Sequence, residues 1–393
     1  MTATLIDFEG FTSGGVEGLA KAKNATVETF DAPPKWTSKE TYVLRMQNAS
    51  TTVAESKSTT AGTYLTIGGW MYFDVLHGGT AHGFLHCNDA FPHLRLQTNA
   101  SGDLLLVNAA NAVVATASGV FAAARWYLVE VKFKWADSGD CRVWVNGNRV
   151  IEETSDFKNG TNNATAAFKN LMATDETRFQ RVGSYYFIQD DGATIDTDDT
   201  RLGRYYVLGS YKSASHGTAG DFGDALTTGT WDNAQETPGL DANVAAYTPV
   251  GITSKQGGVS TDHATPPNGG PNGDTRLTGE IWGAKWAWRW KALADVGLGF
   301  RPFFAPKHGK TDPGSVGTDQ TTTGASLEGD GTFQNLSIVS QAPPTAGQYF
   351  QIGFKADASV AEHGGAVTVA DMWTAILVRD RKFRVLDGEV MTV

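Results

Sequence analysis

The stretch "RWYLVEVKFKWADSGDCRVWVNGNRVIEE", Arg125 to Glu153, constrains the chain more than any other. Tyr127, Val129, Val131 and Phe133 fall on one parity, and Leu128, Glu130, Lys132 and Lys134 on the other. Strand side chains alternate with period two, so this reads as a strand with one face in a core and the other largely in water. Arg142, Trp144 and Asn146 alternate in the same way against Val143 and Val145. Asn146-Gly147 then supplies the positive φ angles that a tight two-residue hairpin needs, and Val150 and Ile151 open the return strand. A hairpin of this kind is stable only inside a larger sheet.

Runs of the same character recur at 5–11, 42–47, 63–76, 93–98 and 103–108, and again at 184–192 and 201–211. Strands at this spacing predict a sandwich or barrel. Charged residues are scarce (19%) and glycines plentiful (45), which suits an all-β chain rich in turns. From about 212 to 278 the chain turns to Gly, Pro, Thr, Asn and Asp, a long irregular connection of the kind that is usually functional or interface-forming. A second β-rich block covers 280–293, 296–305, 333–340, 348–356 and 372–386. The expected organisation is a large sandwich at 1–225, an irregular connection at 226–278 and a smaller C-terminal β-sandwich at 279–393. Helical character is confined to 15–25 and, weakly, 241–247.

Charge and composition exclude several classes of partner. A formal net charge of −10 with no basic stripe gives a phosphate backbone nothing to hold, so nucleic acid is not expected. No segment approaches the ~18 uninterrupted apolar residues of a membrane span. The opening "MTATLIDFEGFTSGG" lacks a basic region followed by an apolar run, so no secretory signal is expected. Cys87 and Cys141 are bridged only if their Cβ atoms meet, and a chain with this much core needs no such staple.

The order of motifs from Arg125 to Ser210 resembles the concanavalin A-like jelly roll of the laminin-G and pentraxin type, and in particular the version found in structural proteins of tailed bacteriophages. The matching residues are Trp126 opening a strand, Val143, Val145, Asn146 and Gly147 in a V-x-V-N-G turn, Asp190, Asp191 and Gly192 closing a strand, and Leu202-Gly203 before the next. "GGAVTVADMWTAILVRD" at 364–380 is similar to a phrase that closes a second β-sandwich in phage relatives. The connection in between has no counterpart. The resemblance implies a concanavalin A-like jelly roll followed by a smaller sandwich. It also implies a virion role in a tail, tail tip, neck or capsid surface.

Four clusters are candidates for chemistry. The acidic run "DDGATIDTDD" offers Asp190, Asp191, Asp196, Asp198 and Asp199 as oxygen ligands for Ca²⁺, although the spacing is not that of an EF-hand and a solvated acidic turn is the plainer reading. "WGAKWAWRW" places Trp282, Trp286, Trp288 and Trp290 on one parity of a strand, a stripe suited to a core, a subunit interface or a stacked sugar. His77, His82, His86 and His93 with Cys87 have zinc-ligand chemistry but no recognised zinc spacing, and read as ordinary strand and loop residues. A glycosidase needs two carboxylates facing one cleft. Glu130 stands alone between lysines, and the adjacent Glu152 and Glu153 point to opposite faces of a strand.

The expectation is therefore a non-enzymatic virion protein serving assembly and adhesion. Its partners would be other virion proteins, copies of itself and a host-surface glycan, with no cofactor beyond the candidate calcium. A carbohydrate-binding lectin module and a glycan-degrading enzyme on the same fold are the rival readings.

Overall fold

Alternation along the chain resolves, in a computed structural model, into four antiparallel sheets. The structure describes residues 3–11, 19, 21–23, 25–30, 42–47, 52–59, 64–76, 82–88, 92–158, 160, 166–172, 179–190, 195, 200–210, 245–247, 256–262, 280–292, 298–308, 320–322, 334–341, 349–356 and 367–379. Among them there is no α-helix. Within 15–25, residues 21–23 and 25 form strand and Leu19 lies in a bend, and 245–247 within the second helical candidate is also strand. Both segments are too short and too poor in periodic apolar residues to hold a helix against an adjacent sheet edge.

The largest sheet has eight strands. From one edge it runs β13 (Asn148–Ser155), β12 (Gly139–Val145), β11 (Arg125–Lys134), β6 (Tyr64–Phe73), β15 (Phe179–Asp190), β4 (Tyr42–Gln47) and β3 (Ala25–Thr29). β1 (Ala3–Glu9) pairs with the far half of β15, beyond the stretch that pairs with β4. The facing sheet has seven strands in the order β10 (Val113–Ala117), β9 (Leu104–Val107), β8 (Pro92–Thr98), β7 (His82–Asn88), β14 (Ala166–Met172), β5 (Thr52–Thr59) and β2 (Lys21–Lys23).

The core between these two sheets is supplied by the expected parities. Leu65, Ile67, Met71 and Phe73 of β6, Val129, Val131 and Phe133 of β11, and Cys141, Val143 and Val145 of β12 meet Leu94, Leu96, Leu104 and Leu106 from the other sheet. Cys87 and Cys141 are both buried and unbridged. The hairpin between β12 and β13 turns on Asn146 (φ 51°) and Gly147 (φ 84°), the left-handed pair that its strand twist requires. Asn146 does more than turn the chain. Its backbone N–H donates to the Leu128 carbonyl at 2.8 Å, and its Oδ1 accepts from Leu128 N at 2.9 Å, tying the turn to β11.

Two smaller sheets follow. One holds β16 (Tyr205–Ser210), β24 (Val367–Arg379), β19 (Glu280–Ala292) and β22 (Gln334–Gln341) in that order, with β17 (Ala245–Tyr247) also on β24. The other runs β18 (Gln256–Asp262), β23 (Tyr349–Ala356), β20 (Leu298–His308) and β21 (Gln320–Thr322). The chain thus leaves the large sandwich through 200–204 and enters the C-terminal sheet at once, with β16 paired in register from Tyr205↔Arg379 to Ser210↔Thr374.

One expectation is overturned. The even-numbered face of β11 is not wet: Leu128 is 3% exposed, and Glu130 and Lys132 are 0% exposed. A second apolar cluster covers it, formed by Leu5, Phe8, Trp70, Trp126, Leu128, Tyr186, Ile188, Leu202, Tyr205, Trp282 and Leu377. The centre of the large sheet is buried on both faces because Tyr205, Trp282 and Leu377 of the C-terminal sheet cover it. Alternation within β11 reveals nothing of that distant partner.

Candidate functional site

Strand register sets up the outer face of the large sheet. Trp144 of β12, Glu130 of β11, Gly68 of β6, Tyr186 of β15 and Phe8 of β1 are cross-strand neighbours in one row. Gly68 makes the row work. A Cβ there would lie 2.2 Å from the Tyr186 ring, so only glycine lets the tyrosine lie across β6 and reach Glu130.

Three backbone and side-chain donors converge on the centre of this row. Tyr186 donates its O–H to Glu130 Oε1 in a short hydrogen bond, and Gly203 N donates to the same oxygen at 2.8 Å. Leu202 N donates to Tyr186 Oη at 3.1 Å. The left-handed φ of 61° at Gly203 turns the chain so that consecutive amides face the pair. Tyr205 continues the seam, donating to the Ser184 carbonyl at 2.9 Å and stacking edge-on to Tyr186 with ring centroids 4.8 Å apart. Trp70 Nε1 donates to the Tyr205 carbonyl at 3.3 Å, and the Thr66 and Thr200 hydroxyls are 2.8 Å apart.

Burial dominates the electrostatics. Desolvation raises the Glu130 pKa above the ordinary carboxyl range, against the guanidinium of Arg201, the Tyr186 and Gly203 hydrogen bonds, and Arg379. Desolvation and the neighbouring Glu130 together push the Tyr186 phenol well up, and burial does the same for Tyr205. Glu130 Oε2 has no hydrogen-bond partner among the described residues. The result is a buried carboxyl–phenol pair with one carboxyl oxygen unpartnered among the described residues, beneath Leu202, Tyr205, Trp282 and Leu377.

At the end of β6 and β11 the same face comes closer to solvent. Trp126, Tyr72, Arg181 and Arg45 form the cross-strand row there. The Arg181 guanidinium lies 4.1 Å from the Phe30 ring centroid and bonds Glu28, while Arg45 reaches Glu28 at 3.3 Å. Phe30, Tyr72 and Trp126 pack with centroids 5.0 to 6.1 Å apart. Tyr72 and Phe30 are half-buried, which leaves aromatic and polar edges together at the rim.

The candidates from sequence are distributed as follows. Trp282 is buried (5%) in the outer-face cluster, with the Arg379 guanidinium 5.8 Å from its ring, and a β-bulge falls at its position in β19. Trp286 and Trp288 pair with Thr374 and Met372 of β24, and Trp290 with Val369 after a second bulge. Asp190 ends β15 opposite Ala3 and is buried, whereas Asp191, Asp196, Asp198 and Asp199 lie outside the described residues. His77 also lies outside them, and His82 is placed on β7 by its backbone alone. His86 and His93 are buried, with the His93 ring 5.2 Å from that of Trp135. No group of three metal-ligating side chains occurs among the described residues. Glu152 is exposed and ion-paired with Arg142 and Arg149.

Glu130 was legible as an isolated carboxylate, but its partner was not. The available signal was the Gly68-Gly69 pair inside an otherwise apolar strand, because a strand glycine marks close approach by another group.

No protein-family model matches the chain, and no curated protein matches it. Solved structures do. An endo-β-1,4-glucuronan lyase from the fungus Trichoderma reesei is 15% identical with a TM-score of 0.32, over 47% of this chain and 94% of the lyase. A carbohydrate esterase of a Shiga toxin-encoding bacteriophage is 13% identical with a TM-score of 0.35, over 48% of this chain and 100% of the esterase. Domain 4 of an extracellular arabinanase from Geobacillus stearothermophilus, in complex with arabinotriose, is 12% identical with a TM-score of 0.34, over 48% and 94%. Most such neighbours are glycan-degrading enzymes or domains of them. The expectation of a chain without catalytic function is corrected on that finding.

Proposed function

We propose that the chain is a β-sandwich component of a tailed-phage particle that serves assembly and attachment to host-surface glycans. The observation that carries this reading is the occupied outer face of the large sheet. An apolar seam through Trp70, Leu202, Tyr205, Trp282 and Leu377 couples the sandwich to the C-terminal sheet. Hydrophobic coupling of this sort suppresses relative motion between units, which a subunit packed into a particle requires. The motif resemblance around Trp126, Asn146-Gly147 and Leu202-Gly203 points the same way. For the glycan, the rim row of Trp126, Tyr72 and Phe30 beside Arg181 and Glu28 offers aromatic surface next to charged hydrogen-bonding groups. Trp286, Trp288 and Trp290 on β19 are the proposed contact with neighbouring copies or a second sugar surface.

Light scattering on the full chain, followed by a glycan array, tests this. The reading expects a discrete symmetric oligomer and glycan binding that Tyr72→Ala abolishes. A monomer that binds no glycan would overturn it, and shortening of a bound glycan during incubation would move the chain to the glycan-processing class.

A further inference from the structure

The buried carboxyl sits where the two parts of the chain are joined. Segment 200–205 is the only described link between the large sheet and β16, and its amides at Leu202 and Gly203 end on Tyr186 and Glu130. β16 pairs with β24, and β24 and β19 bring Leu377 and Trp282 down onto the same spot. Whatever changes the charge of Glu130 therefore acts on the seam that holds the C-terminal sheet in place.

We propose that Glu130 is a proton-controlled latch: its protonated carboxyl fastens segment 200–205, and through β16 the C-terminal sheet, to the outer face of the large sheet, and loss of the proton loosens that docking. The geometry supplies each part. Oε1 accepts from both Tyr186 and Gly203, so the latch is made by an acceptor that the neutral acid retains. Oε2 has no hydrogen-bond partner among the described residues, so an anion has nothing to stabilise its second oxygen, while the neutral acid leaves only an unpaired O–H there, the smaller of the two costs. The group is wholly buried, and an ion in such a place is costly unless paired and hydrogen-bonded.

The charged and titratable groups around it set the sign. Tyr186 of β15 and Tyr205 of β16 stay neutral, because burial raises both phenols. Arg201 and Arg379 favour the carboxylate, yet Arg201 is drawn toward Trp144, with its guanidinium 4.5 Å from that ring. Arg379 is similarly placed over Trp282. In the next row Lys132 lies 5.5 Å from the Tyr64 ring centroid, and its neighbour Arg142 is committed to Glu152. Desolvation outweighs this attraction, so the docked carboxyl holds its proton above the ordinary 4.5. A raised folded-state value means that the contribution is complete below the undocked pKa and is lost as pH rises through the docked one.

Hydrogen exchange on the full chain tests the latch. Protection factors for peptides spanning 200–207, with the intrinsic pH dependence of exchange divided out, are compared between about pH 4, below the ordinary carboxyl value of 4.5, and about pH 8. Each unit by which docking raises the pKa predicts about a tenfold fall in protection over that range. Peptides from the inner strands β8 and β9 serve as the internal reference and are expected to hold steady. Glu130→Gln keeps an oxygen acceptor and cannot ionise, so its 200–207 profile is expected to be flat and as protected as the wild type in acid. A wild-type profile that is flat, or a Glu130→Gln profile with the wild-type slope, would overturn the proposal. Should Glu130→Gln not fold, the wild-type profile against its β8 and β9 reference still decides.

Discussion

The two faces of the large sheet differ in what holds them. On the inner face, Leu65, Ile67, Val129, Val131, Phe133 and Phe187 meet the seven-stranded sheet in a mainly apolar contact. On the outer face, Trp70, Tyr186, Tyr205 and Trp282 carry polar atoms into the contact, and a carboxyl lies at its centre. Hydrogen bonds on that side, Thr59 to Gln189 across the two sheets and Tyr185 to Asp7, lie beside a contact that is otherwise apolar and close-packed. The outer face depends on donors and acceptors that must meet in register, so it is the face whose strength a proton can alter.

Truncation on the inner face gives the largest effect. Phe133 is fully buried beside Phe157, and Phe133→Ala is expected to cost about 3–5 kcal/mol, read as a shift of the whole urea-unfolding transition. Gly68→Ala strikes the outer face instead. The new methyl displaces the Tyr186 ring, and the expected loss is about 1–3 kcal/mol, with the greater part appearing as faster exchange in 200–207. Equal loss of protection in β8 and β9 would show that the faces are not independent. At the weak end stands Arg149, half-exposed and 3.0 Å from Glu152 at the β13 edge. Arg149→Ala is expected to change stability by less than about 1 kcal/mol, and a larger shift would mark that edge as part of the core account.

How much of this was legible follows the same division. The inner face was readable because "WYLVEVKFK" and "CRVWV" announce one apolar parity, and the turn at Asn146-Gly147 follows from φ alone. Strands β5 ("TVAESKST") and β14 ("AAFKNLM") were not, since polar and small residues there leave no clear period. The outer face was misread as wet because its covering residues come from 202–205, 282 and 377, far along the chain from Glu130. Trp282 was legible as a tryptophan in a stripe, but the bulge at its position breaks simple parity counting. Tyr186 was invisible as a partner, because only the register of β15 on β6 carries it over Gly68.

Adjacent tyrosines allow the central claim, an outer face sealed by the chain's own C-terminal sheet, to be tested in one experiment. Tyr185 points into the inner core and Tyr186 into the outer seam, and both are buried, whereas Tyr72 at the rim is half-exposed. Hydroxyl-radical footprinting read by mass spectrometry measures side-chain oxidation at all three and at Trp282. The account predicts that Tyr186 and Trp282 oxidise as slowly as Tyr185 and more slowly than Tyr72. Oxidation of Tyr186 and Trp282 at the Tyr72 rate, with Tyr185 still protected, would contradict it.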